Sequence, residues 1–309
     1  MTGPVAAWLA DGRRLHLQHG PIDLIIEADG PPDRRANAYD RARQRFETVL
    51  TGLVEELPLL RTDCPPQGLG LKGPIARRME RVVRPFSDYR VTPMAAVAGA
   101  VADEMLAAMT EGSQLDRAYV NNGGDIALFL ADGRRFELAM VTMAARPNAP
   151  AIIGKIGISS GDAVGGVATS GRHGRSHSLG IADSVTVLAV SAAVADACAT
   201  LIANAVDLPK HPLVKRVPAQ DLDPDSDLGD RLVTVAVPRL SHAEVATALT
   251  AGQRLADRFC CQGMIRSAAL CLGDQIQLVG DRSAWHVERG PSPTGSGPGL
   301  AFPNRPDDR

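Results

Sequence analysis

The chain has 309 residues, 45% of them hydrophobic and 22% charged, proportions of a folded chain of one or two domains that needs no disulfide or metal to complete its core. A net charge of −2 gives no general electrostatic reason to expect nucleic acid or a membrane surface as a partner. Aromatic residues are only 4%, so the core is built from Ala, Val, Leu and Ile, and base-stacking platforms are disfavoured.

In chain order, Leu15–Ile26 reads as two strands joined at Gly20-Pro21. An amphipathic helix is predicted from about Arg35 to Leu57, with Phe46, Leu50, Val54 and Leu57 on one stripe. The Pro- and Gly-rich stretch 64–74 reads as loop. Thr92 and Pro93 then supply the cap and first position of an Ala-rich helix to about Met109. Strands are predicted at 117–121, 126–130 and 134–141, with turns at Asn122-Gly-Gly-Asp125 and Ala131-Asp-Gly133. A Gly-rich region over 161–180 precedes a strand (185–190), an N-cap at Ser191 and a helix over 192–205. The stretch 208–229, with four prolines and an acidic run, reads as linker or surface loop. A strand (232–237), a helix (241–259) and a last strand (276–279) follow. The chain is thus read as a domain over 1–285, either one body or two intertwined α/β lobes, with a disordered tail over 286–309. No internal sequence repeat is evident, and helices mixed with hairpins point to an α+β fold.

Five cysteines, an odd number without a CxxC pair, and no signal-peptide pattern at the N-terminus fit a reducing cytoplasm. Only Lys72, Lys155, Lys210 and Lys215 are lysines among 33 basic residues. Genome composition accounts for most of that bias, but an Arg fork also suits phosphate.

Several segments carry possible chemistry. Asp196, Thr200 and Asn204 fall at i, i+4 and i+8 of an otherwise apolar helix. Such a stripe meets solvent, closes an internal hydrogen bond, or offers a carboxylate and a hydroxyl to a hard cation such as Mg²⁺. Residues 169–178 hold four hydroxyls, Arg172, Arg175, two His and two Gly, with no acid, a composition suited to cradling a phosphorylated ligand. Asn122-Gly123-Gly124-Asp125 is first of all a hairpin signal, and its glycines also let backbone approach a ligand. The small residues from Pro93 to Ala100 allow close helix packing or an anion at a helix N-terminus. A triad of Ser170, His177 and Asp183 lacks the G-x-S-x-G elbow that would support it.

Taken together, Asn122-Gly-Gly-Asp-Ile126, Ala168-Thr-Ser-Gly171, His177, Ser184-Val-Thr-Val187 and Ala195-Asp-Ala-Cys-Ala-Thr200 resemble, in that order, the ApbE superfamily, known for Mg²⁺-dependent FAD:protein FMN transferases. Thr92–Gly99 and Ser176–Asp183 are similar to an uncharacterised ApbE-like subfamily of bacteria and archaea. The resemblance implies a T-fold-related α+β architecture with mixed or antiparallel sheets and packed helices. It implies Mg²⁺ on Asp196 and Thr200, and FAD or FMN near Asn122, Gly123, Gly124, Asp125, Thr169, Ser170 and Gly171, to which the loop composition adds Arg172 and Arg175. His177 matches a possible base. The implied chemistry is attack on a pyrophosphate by a protein Thr, which makes a protein substrate a partner, or by water. The transferases carry a Lys where Ala95–Ala100 has none, and Tyr89, Tyr119 and Trp285 are the few aromatics on offer to a flavin ring. An enzyme acting on a non-flavin phosphorylated or carboxylated metabolite, and a non-catalytic binding or assembly protein, are the alternatives; an oligomer is compatible with each.

Overall fold

The computed structural model describes residues 3–142 and 151–287. Its first elements are β1 (Val5–Trp8), β2 (Leu15–His19), β3 (Ile22–Asp29), α1 (Pro32–Phe46), α2 (Val49–Val54), α3 (Leu57–Leu60) and α4 (Pro74–Val83). Two 3₁₀ turns (Arg84–Tyr89 and Pro93–Ala96) lead into α5 (Val97–Thr110), β4 (Arg117–Asn122), β5 (Asp125–Leu130), β6 (Arg135–Thr142) and β7 (Ala151–Ser159). Then come β8 (Gly166–Ser170), β9 (Ser184–Ala189), α6 (Ala192–Ala205), β10 (Lys215–Pro218), α7 (Ala219–Leu222) and β11 (Leu232–Ala236). The last are α8 (His242–Cys261), β12 (Ile265–Leu272), β13 (Gln275–Gly280) and β14 (Trp285–Val287).

Among the described residues nine strands form one antiparallel sheet in the order β1-β2-β3-β4-β5-β8-β9-β12-β13. Antiparallel sheets with packed helices are what the α+β reading requires, and the fold has them. The topology also repeats. Strands β2 and β3, helices α1 and α5, then strands β4 and β5 make one unit; β8 and β9, α6 and α8, then β12 and β13 make a second with the same order. The repeat is invisible as sequence similarity because it lies in connectivity. The units join along β5 and β8, a seam of two pairs, Ile126 with Val167 and Ala127 with Gly166. By contrast β3 and β4 share pairs from Leu24–Asn122 to Asp29–Arg117.

Helices α5 and α6 pack on one face of the sheet over this seam, flanked by α1 and α8. Small residues permit it: a Cβ on Gly99 of α5 would lie 2.3 Å from the Ala192 carbonyl of α6, and one on Gly166 of β8 would lie 2.1 Å from the Ala192 nitrogen. The opposite face carries a smaller sheet, β14-β7-β6, packed through Phe136, Met140, Ile156, Ile158 and Trp285. Sequential antiparallel order has a geometric result. The β2–β3, β4–β5, β8–β9 and β12–β13 connections all emerge at one end of the sheet. The long excursions between α1 and α5 and between α6 and α8 emerge at that end too.

The helix expected over 35–57 is broken between Phe46 and Val49 into α1 and α2, and it begins at Pro32. Strands β8 and β12 escaped the sequence reading. Strand β8 is glycine-started because it runs beneath α6, and β12 is buried along nearly its whole length and shows no alternation. The stretch 208–229 holds β10 and α7, and β10 pairs with β11. Residues 288–309 of the expected tail lie outside the described residues, while 286 and 287 complete β14. Among the described residues no helix is long and apolar enough to cross a membrane, and the five cysteines are unpaired.

Candidate functional site

A cleft of about 660 Å³ opens at the loop end of the sheet, directly over the seam. One unit supplies Asp125 through the β4–β5 hairpin; the other supplies Asp196 and Thr200 from α6 and Arg175, Ser176 and His177 from the β8–β9 loop. The hairpin is a two-residue turn in which Gly123 (φ 66°) and Gly124 (φ 114°) both take positive φ, the conformation that makes Asn-Gly-Gly a tight-turn sequence. Asn121 Oδ1 accepts from the Gly124 amide at 2.8 Å and locks it.

Asp125 and Asp196 form the floor. The Thr169 amide donates to Asp125 Oδ1 at 3.3 Å, and the Gly99 amide, in the first turn of α5, donates to Asp196 Oδ2 at 3.0 Å. Neither carboxylate has a basic partner among the described residues. Burial pushes Asp125 up to about 7. Burial first, and then the charge of Asp125, push Asp196 well above the ordinary carboxylate range. Two desolvated carboxylates, one of them raised further by the other's charge, make a site whose charge is balanced by a proton or by a cation.

Thr200 stands one turn along from Asp196 on the same wall. Thr110, Thr247 and Thr250, also in helices, turn their hydroxyls onto the carbonyl four residues earlier. Thr200 has no such bond among the described residues, so its hydroxyl is available to the cleft. Asn204, third of the stripe, is used structurally: its Oδ1 accepts from the Leu179 amide at 3.0 Å and pins the β8–β9 loop to α6. Groups of three or more His, Cys, Asp or Glu able to hold a metal are absent among the described residues. Any cation here therefore completes its shell with hydroxyl, water or ligand oxygens, which suits Mg²⁺ better than Zn²⁺.

The remaining predicted residues divide. Thr169, Ser170, Gly171 and Arg175 line the cavity that continues from this cleft. The Arg175 guanidinium lies over Gly123, 3.4 Å from where a Cβ would stand, and has no carboxylate partner among the described residues. His177 is exposed on the cleft wall. Asn122 lines the cavity too, but its buried amide donates to the Ala98 carbonyl at 3.1 Å and serves to seat the start of α5. Gly124 shapes the turn without lining either cavity.

Arg172 is not brought to the cleft. Its Nε donates to buried Asp183 at 2.8 Å, His173 Nε2 lies 3.3 Å from the same oxygen, and the Gly273 amide donates to the other at 2.7 Å. That cluster borders a different cavity of about 310 Å³. It also removes Asp183 from any triad with His177. Of the aromatics, Tyr89 lines the cleft, Tyr119 lines a separate cavity, and Trp285 is buried on the opposite face with Nε1 donating to Ser267.

The sequence reading missed the far wall. Asp223, Asp225 and Asp227, read as surface loop, fold over the cleft with Arg231. Thr92 donates to Asp227, and Arg61 lies 3.8 Å from Asp225. The acidic run was visible, but nothing local signals that a loop returns more than 130 residues along the chain to meet Thr92.

A sequence profile for the family described as AbpE bacteria matches residues 6–278. UPF0280 proteins of archaea are similar to the chain. That of Methanopyrus kandleri is 38% identical over 42% of this chain and 48% of its own length. That of Methanothrix thermoacetophila is 38% identical over 54% and 65%, and that of Methanosarcina acetivorans 32% over 63% and 74%. The chain spans about half the length of the first of these relatives. Among solved structures, the ApbE protein of Thermotoga maritima is 15% identical with a TM-score of 0.36, covering 82% of this chain and 77% of that one. A variant of the flavin transferase ApbE from Vibrio cholerae is 11% identical with a TM-score of 0.41, covering 93% and 98%. The profile takes in both repeats of the large sheet and every residue of the cleft floor: the chain belongs to the AbpE bacteria family.

Proposed function

We propose that the chain binds a phosphorylated ligand together with Mg²⁺ in the cleft over the seam, and cleaves or transfers its phosphoryl group. The observation that carries this reading is the pair Asp125 and Asp196, desolvated and without a basic partner among the described residues, facing the hydroxyls, amides and Arg175 of the β8–β9 loop. The residues fit the ion: two carboxylates and the free Thr200 hydroxyl are the protein share of a typical Mg²⁺ shell. When bound, Mg²⁺ neutralises charge on phosphate oxygens.

The chain's own residues do the rest. The Ser170 hydroxyl, the Gly171 backbone and the Arg175 fork orient the phosphate. His177, on the wall, accepts the proton of the attacking hydroxyl, from water or from a Thr of a protein substrate. The new P–O bond forms as the bridging P–O bond of a pyrophosphate breaks, and the leaving phosphate keeps the bridging oxygen. The motif resemblance supports FAD as that pyrophosphate. A non-flavin phosphorylated metabolite is the second reading, favoured because Tyr89 alone among the three proposed aromatics lines the cleft.

Thermal unfolding with FAD, FMN, ADP and inorganic phosphate, with and without Mg²⁺, tests both. A ligand at 100 times its Kd adds about 2.7 kcal/mol of stability. No shift with either flavin removes the flavin reading, and no Mg²⁺-dependent shift with any phosphate removes the proposal.

A further inference from the structure

Past Met94 and Val97 the cleft continues into a cavity of about 580 Å³ whose wall is chemically divided. One end is the polar corner already described. The other is made by Leu50, Leu53 and Val54 of α2, Leu57 and Leu60 of α3, and Val101 of α5. Leu50, Leu53, Val54 and Leu57 repeat at helical spacing, the stripe of an ordinary core-facing helix. Here that stripe also borders a cavity: Leu50 and Leu53 are buried in the core, Leu57 is half-buried and Val54 is 43% exposed. No aromatic side chain lines it among the described residues, and Arg61, which does line it, leans towards Asp225 at 3.8 Å.

Such a wall discriminates between ligands. Arg61 is the one side-chain donor at that end among the described lining residues, so a ring bearing several carbonyl and nitrogen acceptors would bury most of them against aliphatic carbon, which opposes binding. A hydrocarbon chain meets no such penalty and gains affinity with every methylene removed from water. The size lies within the 300–1,000 Å³ range of small-molecule pockets. The polar end fixes the direction: Arg175, without an ion-pair partner among the described residues, lies there over Gly123 beside the Thr169 and Ser170 hydroxyls, and is the place for an anionic head.

We infer that the ligand is an amphiphile, a phosphate or pyrophosphate ester of a single aliphatic chain, with its head at Asp125, Asp196 and Arg175 and its chain between α2–α3 and α5. This deepens the proposed phosphorylated-ligand site and rests on it for the head group.

Isothermal titration of the full chain with inorganic phosphate and with butyl, hexyl and octyl phosphate, each with Mg²⁺ and below its aggregation concentration, tests the assignment. The expected result is affinity rising up to about fourfold per added methylene, with Leu57→Gln flattening the series. Val54→Gln, at an exposed position, gives the same readout should the first variant fail to fold. Octyl phosphate binding no tighter than inorganic phosphate overturns the inference, as does FMN displacing octyl phosphate at equal concentration. Capture by phosphatidate vesicles with no chain-length trend among the free esters overturns it in favour of a membrane surface. The two claims separate cleanly. A chain-length trend that survives Asp196→Asn and Mg²⁺ removal keeps the aliphatic cavity and sinks the metal corner. Mg²⁺-dependent phosphate binding without a trend does the reverse.

Discussion

Asp103 and Asp196 each hold the start of the other's helix. Asp103, on α5, accepts from the Ala192 and Ala193 amides that open α6, at 2.9 and 3.0 Å, while Asp196, on α6, accepts from the Gly99 amide of α5. Both satisfy amides that a helix leaves without internal partners and meet the positive end of its dipole. Their surroundings then separate them. Arg78 stands 4.0 Å from Asp103, whereas Asp196 faces a second carboxylate.

The first prediction follows from that contrast. Asp103→Ala strands two buried amides and costs about 2 kcal/mol or more of folding stability, read by urea denaturation, without changing Mg²⁺ binding in the protein that remains folded. Asp196→Asn keeps an oxygen for the Gly99 amide and removes a desolvated carboxyl, so in chelator it is at least as stable as wild type while Mg²⁺ affinity drops at least about tenfold. Equal effects of the two variants on Mg²⁺ would contradict the division of labour.

Asp125 gives a pH dependence with a definite sign. In the folded, metal-free chain it holds its proton up to about 7, whereas the unfolded chain releases it near 3.8. Between those values the native state binds more protons, so this contribution to stability falls as pH rises and is fully lost above about 7. The difference in melting temperature between wild type and Asp125→Asn, measured in chelator, therefore grows from pH 4 to pH 7 in the variant's favour. Adding Mg²⁺ shrinks it. Parallel curves throughout would show that Asp125 is not desolvated.

Arg172 and Arg175, three residues apart in one loop, behave oppositely. Arg172→Ala leaves buried Asp183 with only His173 and the Gly273 amide, and breaking such a pair costs about 3–5 kcal/mol. Arg175→Ala disturbs no ion pair among the described residues, so it melts like wild type and instead weakens phosphate binding. A calorimetric melt and a phosphate titration on each variant separate the two roles.

Gly99→Ala places a methyl group 2.3 Å from the Ala192 carbonyl, where backbone cannot yield as a side chain can. Overpacking at this contact costs about 1–3 kcal/mol. It also moves the Gly99 amide off Asp196, so Mg²⁺ affinity falls alongside stability. A variant that melts like wild type would mean that α5 and α6 are less closely packed.

Much of this was legible before the coordinates. The turn glycines, the Ser191 cap and the Asp196–Thr200 spacing are local signals, carried by residues within a few positions of each other, and the structure places Asp196, Thr200, Asp125 and Arg175 on one cleft. Tertiary relationships were not legible. Arg172 resembles Arg175 in sequence, and only the placement of Asp183 distinguishes them. Asn122 looked like a ligand contact because nothing local shows that its amide reaches Ala98. Residues 223–227 lacked a helical or strand period, so no pattern could place them over the cleft.

The short seam between β5 and β8 gives the site a mechanical meaning. Few backbone pairs join the repeats in the sheet, so α5 and α6 carry most of the joint, and the carboxylates lie on opposite sides of it, Asp125 on one repeat and Asp196 on the other. Whatever neutralises them acts as a clasp across the joint. Leaving the site empty with both carboxylates ionised loads the joint with repulsion.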